Sequence, residues 1–216
     1  MKPRIALIHA LALSIAPVAR AFAEQWPAAE TFNLLDDSLS VDRERAGELT
    51  PQIAERVSQL ARYAIRCDAD AILFTCSAFG PAIEVTQRWN ALPVLKPNEA
   101  MFEQALTKGG RTALMLTFQP SVESMKAEFK AQAAGRANDL TVILVPEAMA
   151  AAQRGDVAEQ GRLLAEAAAK AGTFDTLMLG QFSMAPAQAA VQKVVSCPVL
   201  TSPSSAVEAL KQKLAA

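Results

Sequence analysis

The sequence holds one histidine, His9, and three cysteines, Cys67, Cys76 and Cys197, with no C-x-x-C pair and no Cys/His cluster. That scarcity argues against a structural zinc site and against a disulfide-stapled scaffold, so no metal is expected. Aromatic residues make up only 6% of the chain, and the net charge is −1 with acids and bases interspersed. Without a basic stripe or an aromatic platform, nucleic-acid binding has no support. No unbroken apolar run reaches the roughly 20 residues of a membrane-spanning helix, so no membrane association is expected. One segment imitates a secretory signal: Lys2 and Arg4, an apolar run from Ile5 to Val18, then Ala21-Phe22-Ala23. Pro17 and Arg20 interrupt it, and Arg4 to His9 also reads as a buried strand leading to a helix near 14–25. Free thiols then indicate a reducing compartment, the cytoplasm.

What is present is a long, core-forming chain: 216 residues, 51% apolar and 20% charged. Strand-length apolar runs occupy 4–9, 71–75, 112–117, 140–145 and 175–180, with short pieces near 31–34, 93–95 and 198–200. They lack period-2 alternation, as expected when helices cover both faces of a sheet. Between them, helical periodicity covers a stretch opened by Thr50-Pro51, a helix beginning near Gly80-Pro81, and segments near 98–108, 120–133, 156–171 and 204–214. Strand and helix alternate, which predicts α/β architecture with parallel sheets. The halves also echo each other. Asp70 and Asp175 each precede a buried strand, a polar turn, a helix and then x-Pro-Val-Leu, at Pro93 and Pro198. The expected fold is two pseudo-symmetric lobes, each a mainly parallel sheet flanked by helices, with a ligand cleft between them. Residues 1–96, with the returning helix in 201–216, form lobe one; residues 97–200 form lobe two.

Candidate chemistry gathers where strands give way to turns. Cys76 ends a buried strand and precedes a helix start, where backbone N–H groups favour a thiolate or a substrate carboxylate. Thr75 and Ser77 flank it. Thr117, at the end of another strand, and Ser121 are candidate hydrogen-bond donors to a carboxylate; alternatively Ser121 or Gln119 caps the next helix. His9 reads as a general acid/base, as a group that orients the ligand, or as a satisfied structural histidine. Gln181, Phe182 and Ser183 form the matching turn of the second half. Cys67 and Cys197 read as structural. Asp36-Asp37-Ser38 and Asp42-Arg43 read as a solvated loop, one that could cover a site.

In order and spacing, these segments resemble the superfamily of aspartate/glutamate and hydantoin racemases and their related isomerases and decarboxylases. The resemblance rests on Thr75-Cys76-Ser77 with Phe79-Gly80, Leu116-Thr117-Phe118, Leu179-Gly180 with Met184, and Pro198-Val199-Leu200 with Ala206-Val207. It implies a cofactor-independent enzyme that moves a proton at the carbon next to a carboxylate or carbonyl of a small acid. That enzyme is an isomerase of the racemase/epimerase type or a related lyase, and the resemblance allows a homodimer. In the two-cysteine racemases a thiol serves each face of the substrate carbon, and donors stabilise the enediolate. Cys76 matches the first cysteine. The resemblance also implies that Gln181, Phe182 and Ser183 are substrate contacts together with Thr117. Gln181 stands where the second is expected, directly after Leu179-Gly180, so the chain resembles a variant lacking the second catalytic cysteine. The decarboxylase branch keeps its one cysteine in the other half. The alternatives are a one-thiol lyase or decarboxylase, a non-catalytic small-carboxylate binding protein of the same fold, and, from the signal-like start, a periplasmic solute-binding protein.

Overall fold

The computed structural model describes residues 2–215. Its order is β1 (Arg4–His9), α1 (Ile15–Gln25), β2 (Glu30–Leu35), α2 (Ser38–Ala46), α3 (Pro51–Arg66), β3 (Ala71–Phe74), α4 (Gly80–Trp89), β4 (Val94–Leu95) and α5 (Glu99–Lys108). There follow β5 (Arg111–Leu116), α6 (Val122–Ala133), β6 (Asp139–Leu144), α7 (Pro146–Gln153), α8 (Val157–Lys170), β7 (Thr176–Leu179), α9 (Gln188–Gln192), β8 (Val199–Thr201) and α10 (Ser202–Ala215). The chain divides into two compact units: residues up to Pro97 together with those from Ala206 onward, and Asn98–Ser205.

Each unit is built on a four-stranded, all-parallel sheet, with order β2-β1-β3-β4 in the first and β6-β5-β7-β8 in the second. Helices flank both sheets, as the missing alternation in the strand sequences predicts. The central strands β3 and β7 are buried at every residue, and β1 and β5 at all but the first. The outer strands β2 and β6 are half-exposed. In the first unit Ile8, Ile72 and Phe74 pack on Val57, Ala61 and Ile83 of α3 and α4. The second sheet is covered on one face by Met101, Phe102, Met125 and Phe129 of α5 and α6, where the two rings meet edge-on at 5.2 Å, and on the other by Leu164, Ala168 and Val191.

The repeated sequence elements have the same local jobs in both units. Asp70 Oδ2 accepts from the Arg4 amide at 2.7 Å, and Asp175 Oδ2 accepts from the Arg111 amide at 2.8 Å, so each acid ties the start of one central strand to its neighbour. Gln87 donates to the Val94 carbonyl and Gln188 to the Val199 carbonyl, both at 2.8 Å, fixing the short x-Pro-Val-Leu strand to the preceding helix. One expectation is corrected. Asp42 and Arg43 lie inside α2, not in a solvated loop, and Asp36 and Asp42 both accept from the Arg56 guanidinium at 2.6 Å. Burial pushes the Asp36 carboxyl up, but hydrogen bonds from Ser38 and Arg56 outweigh it and hold the group below its ordinary value.

Candidate active site

In an open parallel sheet, ligands sit at the carboxyl ends of the strands, where successive connections leave in opposite directions. In the first unit the connection from β1 runs outward to β2, whereas that from β3 runs the other way to β4, so the switch point lies between β1 and β3. In the second unit it lies between β5 and β7 by the same logic. His9, Thr75, Cys76 and Ser77 therefore fall at the first switch point, and Thr117, Gln181, Phe182 and Ser183 at the second.

The registers make the two switch points equivalent residue by residue. Ile8 pairs with Phe74 and Met115 with Leu179. Thr75 donates its amide to Ile8 as Gly180 does to Met115, both at 3.0 Å. Hence Cys76 corresponds to Gln181, Thr75 to Gly180, His9 to Leu116 and Leu11 to Phe118. All four central strands end in the same way: one extended residue (Leu11, Cys76, Phe118 or Gln181), a short 3-10 turn, then a helix. None of these four residues caps its turn through a side chain. Elsewhere Thr50 and Asp156 do, accepting from the Ile53 and Glu159 amides. Apart from the Ala78 amide, which meets the Cys76 sulfur, the helix starts at the switch points keep amide hydrogens that no side chain satisfies, the kind of donors that meet an anion.

Cys76 is half-buried and free. Burial pushes its thiol above the ordinary value, opposed by a hydrogen bond from the Ala78 amide. The sulfur at rest is a neutral thiol, not the thiolate that a depressed pKa would give. Ser77 is half-buried beside it. Cys67 caps the end of α3, where its carbonyl accepts from Arg4 at 2.6 Å, and Cys197 lies in the core of the second unit; both are structural.

His9 is fully buried, with Nε2 2.9 Å from Asn33 Oδ1 and Nδ1 2.9 Å from Thr75 Oγ1. With the carboxamide oxygen facing Nε2, that nitrogen carries the proton, and Nδ1 faces the Thr75 hydroxyl, which also lies 3.3 Å from the Ile8 carbonyl. Burial lowers the His9 pKa and the Asn33 contact opposes the shift, so the ring is neutral. It holds Thr75, directly before Cys76, and has no nitrogen left for a ligand. Asn33 was missed from the sequence; its only signal was a polar residue inside an apolar outer strand.

In the second unit the Gln181 carboxamide oxygen accepts from both the Thr117 amide (2.8 Å) and the Thr117 hydroxyl (2.6 Å). A backbone N–H can only donate, so the oxygen must face it, and this sets the amide orientation. Gln181 Nε2 is left with no hydrogen bond among the described residues, and Gln181 is half-buried. Thr117 is buried, with its amide and hydroxyl both donating to Gln181 Oε1. Phe182 is also buried; Ser183 is half-buried, with its carbonyl accepting from Gln160. No group of three or more His, Cys, Asp or Glu able to hold a metal occurs among the described residues. None of their helices is long and apolar enough to cross a membrane.

Comparison with solved structures gives the fold directly. A glutamate racemase from Bacillus anthracis superposes with a TM-score of 0.76 at 15% identity, over 100% of this chain and 83% of that one. An allantoin racemase from Klebsiella pneumoniae gives 0.75 at 18% identity, over 99% and 88%. An aspartate racemase from Picrophilus torridus gives 0.72 at 12% identity, over 99% and 94%. Among curated proteins the sequence finds no significant match. The model of the Asp/Glu/hydantoin racemase family matches residues 15–210. With two parallel α/β units of this topology and a family match over nearly its whole length, the chain belongs to the Asp/Glu/hydantoin racemase family.

Proposed function

We propose that the protein is a racemase-like enzyme that moves a proton at the carbon next to the carboxylate of a small acid, with Cys76 as its single acid/base thiol. The carrying observation is the equivalence of Cys76 and Gln181. The two units place a thiol and a carboxamide at one and the same backbone position, and a carboxamide neither gives nor takes a proton at neutral pH. Cys76 Sγ, as thiolate, would take the α-proton; the electron pair moves into the carboxylate to give an enediolate, and the same sulfur returns the proton to the same face. Gln181 Nε2 is proposed as a donor to a substrate oxygen, with Thr117 holding it in place. Ser77 and Ser183 are proposed as further contacts, and His9 and Thr75 as the support behind Cys76. The setting proposed is cytoplasmic, where free thiols persist.

The test is α-deuterium incorporation in D2O for a panel of small acids, followed by NMR and chiral chromatography. The expected result is exchange with retained configuration that disappears in Cys76→Ser. Exchange unchanged in that variant, or absent for every acid, overturns the reading. Because the resting thiol is neutral, the rate should climb about tenfold per pH unit through neutrality and plateau only above the ordinary thiol range. Gln181→Cys, which restores the two-thiol pattern, should convert exchange with retention into racemisation. The raised thiol pKa favours one second reading, a carboxylate-binding protein without chemistry. Ligand binding that stabilises the protein, with no exchange at any pH, would establish it.

A further inference from the structure

The helix that follows the outer strand is fastened in two different ways in the two units. In the second unit α7, just after β6, buries Ala148, Ala151 and Ala152 along one face. In the first unit α2, just after β2, buries only Leu39. A single guanidinium reaching across from α3 supplies what the apolar face lacks. Arg56 donates to Asp36 Oδ2 and Asp42 Oδ2, both at 2.6 Å, and to Ser38 Oγ at 2.5 Å. Ser38 Oγ in turn donates to Asp36 Oδ1 at 2.6 Å. The clamp thus grips both the connection from β2 and the body of the helix. Its side chains are part-exposed, Arg56 at 32%, Asp36 at 26% and Asp42 at 38%, so salt can screen the pairs.

What α2 is fastened to is the first switch point. β2 runs parallel to β1, so α2 leaves the sheet on the edge where His9 and Cys76 lie. The Asp36 amide donates to the His9 carbonyl at 3.1 Å, and Ser40 Oγ donates to the Ala10 carbonyl at 2.7 Å. Leu39 joins Ala10 in the apolar cluster against which Cys76 packs. One leucine, two hydrogen bonds and a screenable clamp make a weak attachment. Segments with few buried apolar contacts open locally while the surrounding strands stay folded.

Resting on Cys76 as the reactive thiol proposed above, we infer that α2 is a gate over the first switch point and that Arg56 is the positioning residue that keeps it shut. With the clamp made, α2 and Leu39 shield Cys76. With the clamp broken, α2 detaches from the sheet edge while the sheet persists, and the thiol meets reactants.

Iodoacetamide alkylation of the full-length protein, read peptide by peptide in the mass spectrometer, tests the gate without any substrate. Arg56→Gln should speed alkylation of Cys76 by about tenfold or more and leave Cys67 and Cys197 unchanged, with Arg56→Lys in between. The direction is diagnostic. Removing a cation beside Asp36 and Asp42 disfavours a thiolate, so electrostatics alone would slow the reaction. In about 1 M sodium chloride the wild-type Cys76 rate should rise towards that of Arg56→Gln, whose own rate stays fixed. Amide exchange should be faster on α2 than on β1, and faster still on α2 in Arg56→Gln, with β1 and β3 unchanged. An unchanged Cys76 rate in Arg56→Gln, acceleration of all three cysteines together, or α2 amides as slow as those of β1 overturns the inference. Deuterium exchange into small acids reports separately on the chemistry. If no acid exchanges, the proton-transfer reading falls while accelerated alkylation still establishes the gate; if exchange needs Cys76 but alkylation ignores Arg56→Gln, the gate alone falls.

Discussion

At the scale of single residues, what lies in contiguous sequence is legible and what lies on a neighbouring strand is not. Cys76 at a strand end before a helix start could be placed from the string of residues alone. Whether His9 was reactive could not, because the answer depends on Asn33, 24 positions away on β2, and on Thr75, 66 positions away on β3. The outcome has a pH signature. A His9 kept neutral by burial has a folded pKa below its unfolded value of 6.5. Its contribution is therefore fully present above pH 6.5 and is lost as pH falls from there towards the lower folded value, where the unfolded state binds the extra proton. Urea denaturation between pH 8 and 5 should show stability falling with a slope of up to about 1.4 kcal/mol per pH unit, and His9→Gln should flatten that slope. Glu103 behaves in the usual acidic sense: the Arg136 fork holds it down to about 2, so its smaller, solvent-screened contribution is full above pH 4.5 and is lost as pH falls from there toward 2.

At the scale of elements, the eight strands lie where the apolar runs place them, because strands covered on both faces need no periodic pattern to be recognised. Helix α2 escaped for the opposite reason. Ser38–Ala46 buries only Leu39 and is otherwise polar or charged, so it offers no apolar stripe, and it is held by the Arg56 ion pairs instead. The four uncapped turns were also invisible, since they are defined by hydrogen bonds that are not made. They predict a trade. Phe118→Ser should stabilise the protein by about 0.5–1 kcal/mol in thermal denaturation, whereas Asp156→Ala, which removes a working cap, should cost about 1 kcal/mol. Gly180 is required by packing: a Cβ there would lie 2.6 Å from Leu116 and 2.8 Å from Leu114 side-chain carbons. Gly180→Ala should destabilise by about 1–3 kcal/mol in the same measurement, a cost that the flexible ends of those leucines limit but do not remove.

At the scale of the whole molecule, the sequence echo between the halves corresponds to a real equivalence of topology, register and hydrogen bonding within each unit. Asp70 and Asp175 serve the same function, and so do the glutamines that hold β4 and β8. Amide hydrogen exchange should accordingly show two matched sets of slow amides, on β1 with β3 and on β5 with β7, and faster exchange on β2 and β6. A single protected set confined to one unit would show that the burial symmetry does not carry over into stability. The family could be read from the order of short motifs across the chain. The partners of the turn residues could not, because Gln181 meets Thr117, 64 positions away on the neighbouring strand's turn, a pairing no motif encodes.

The correspondence of His9, Thr75 and Asn33 with Leu116, Gly180 and Val142 restricts how such a protein can change. One trio is polar and mutually satisfied; the other is apolar and closely fitted. Importing Thr75 at the Gly180 position would bring its Cβ against Leu116 and Leu114, and importing glycine at the Thr75 position would leave His9 Nδ1 without its partner. The two halves thus share a backbone design at the switch points while their side chains there are no longer interchangeable.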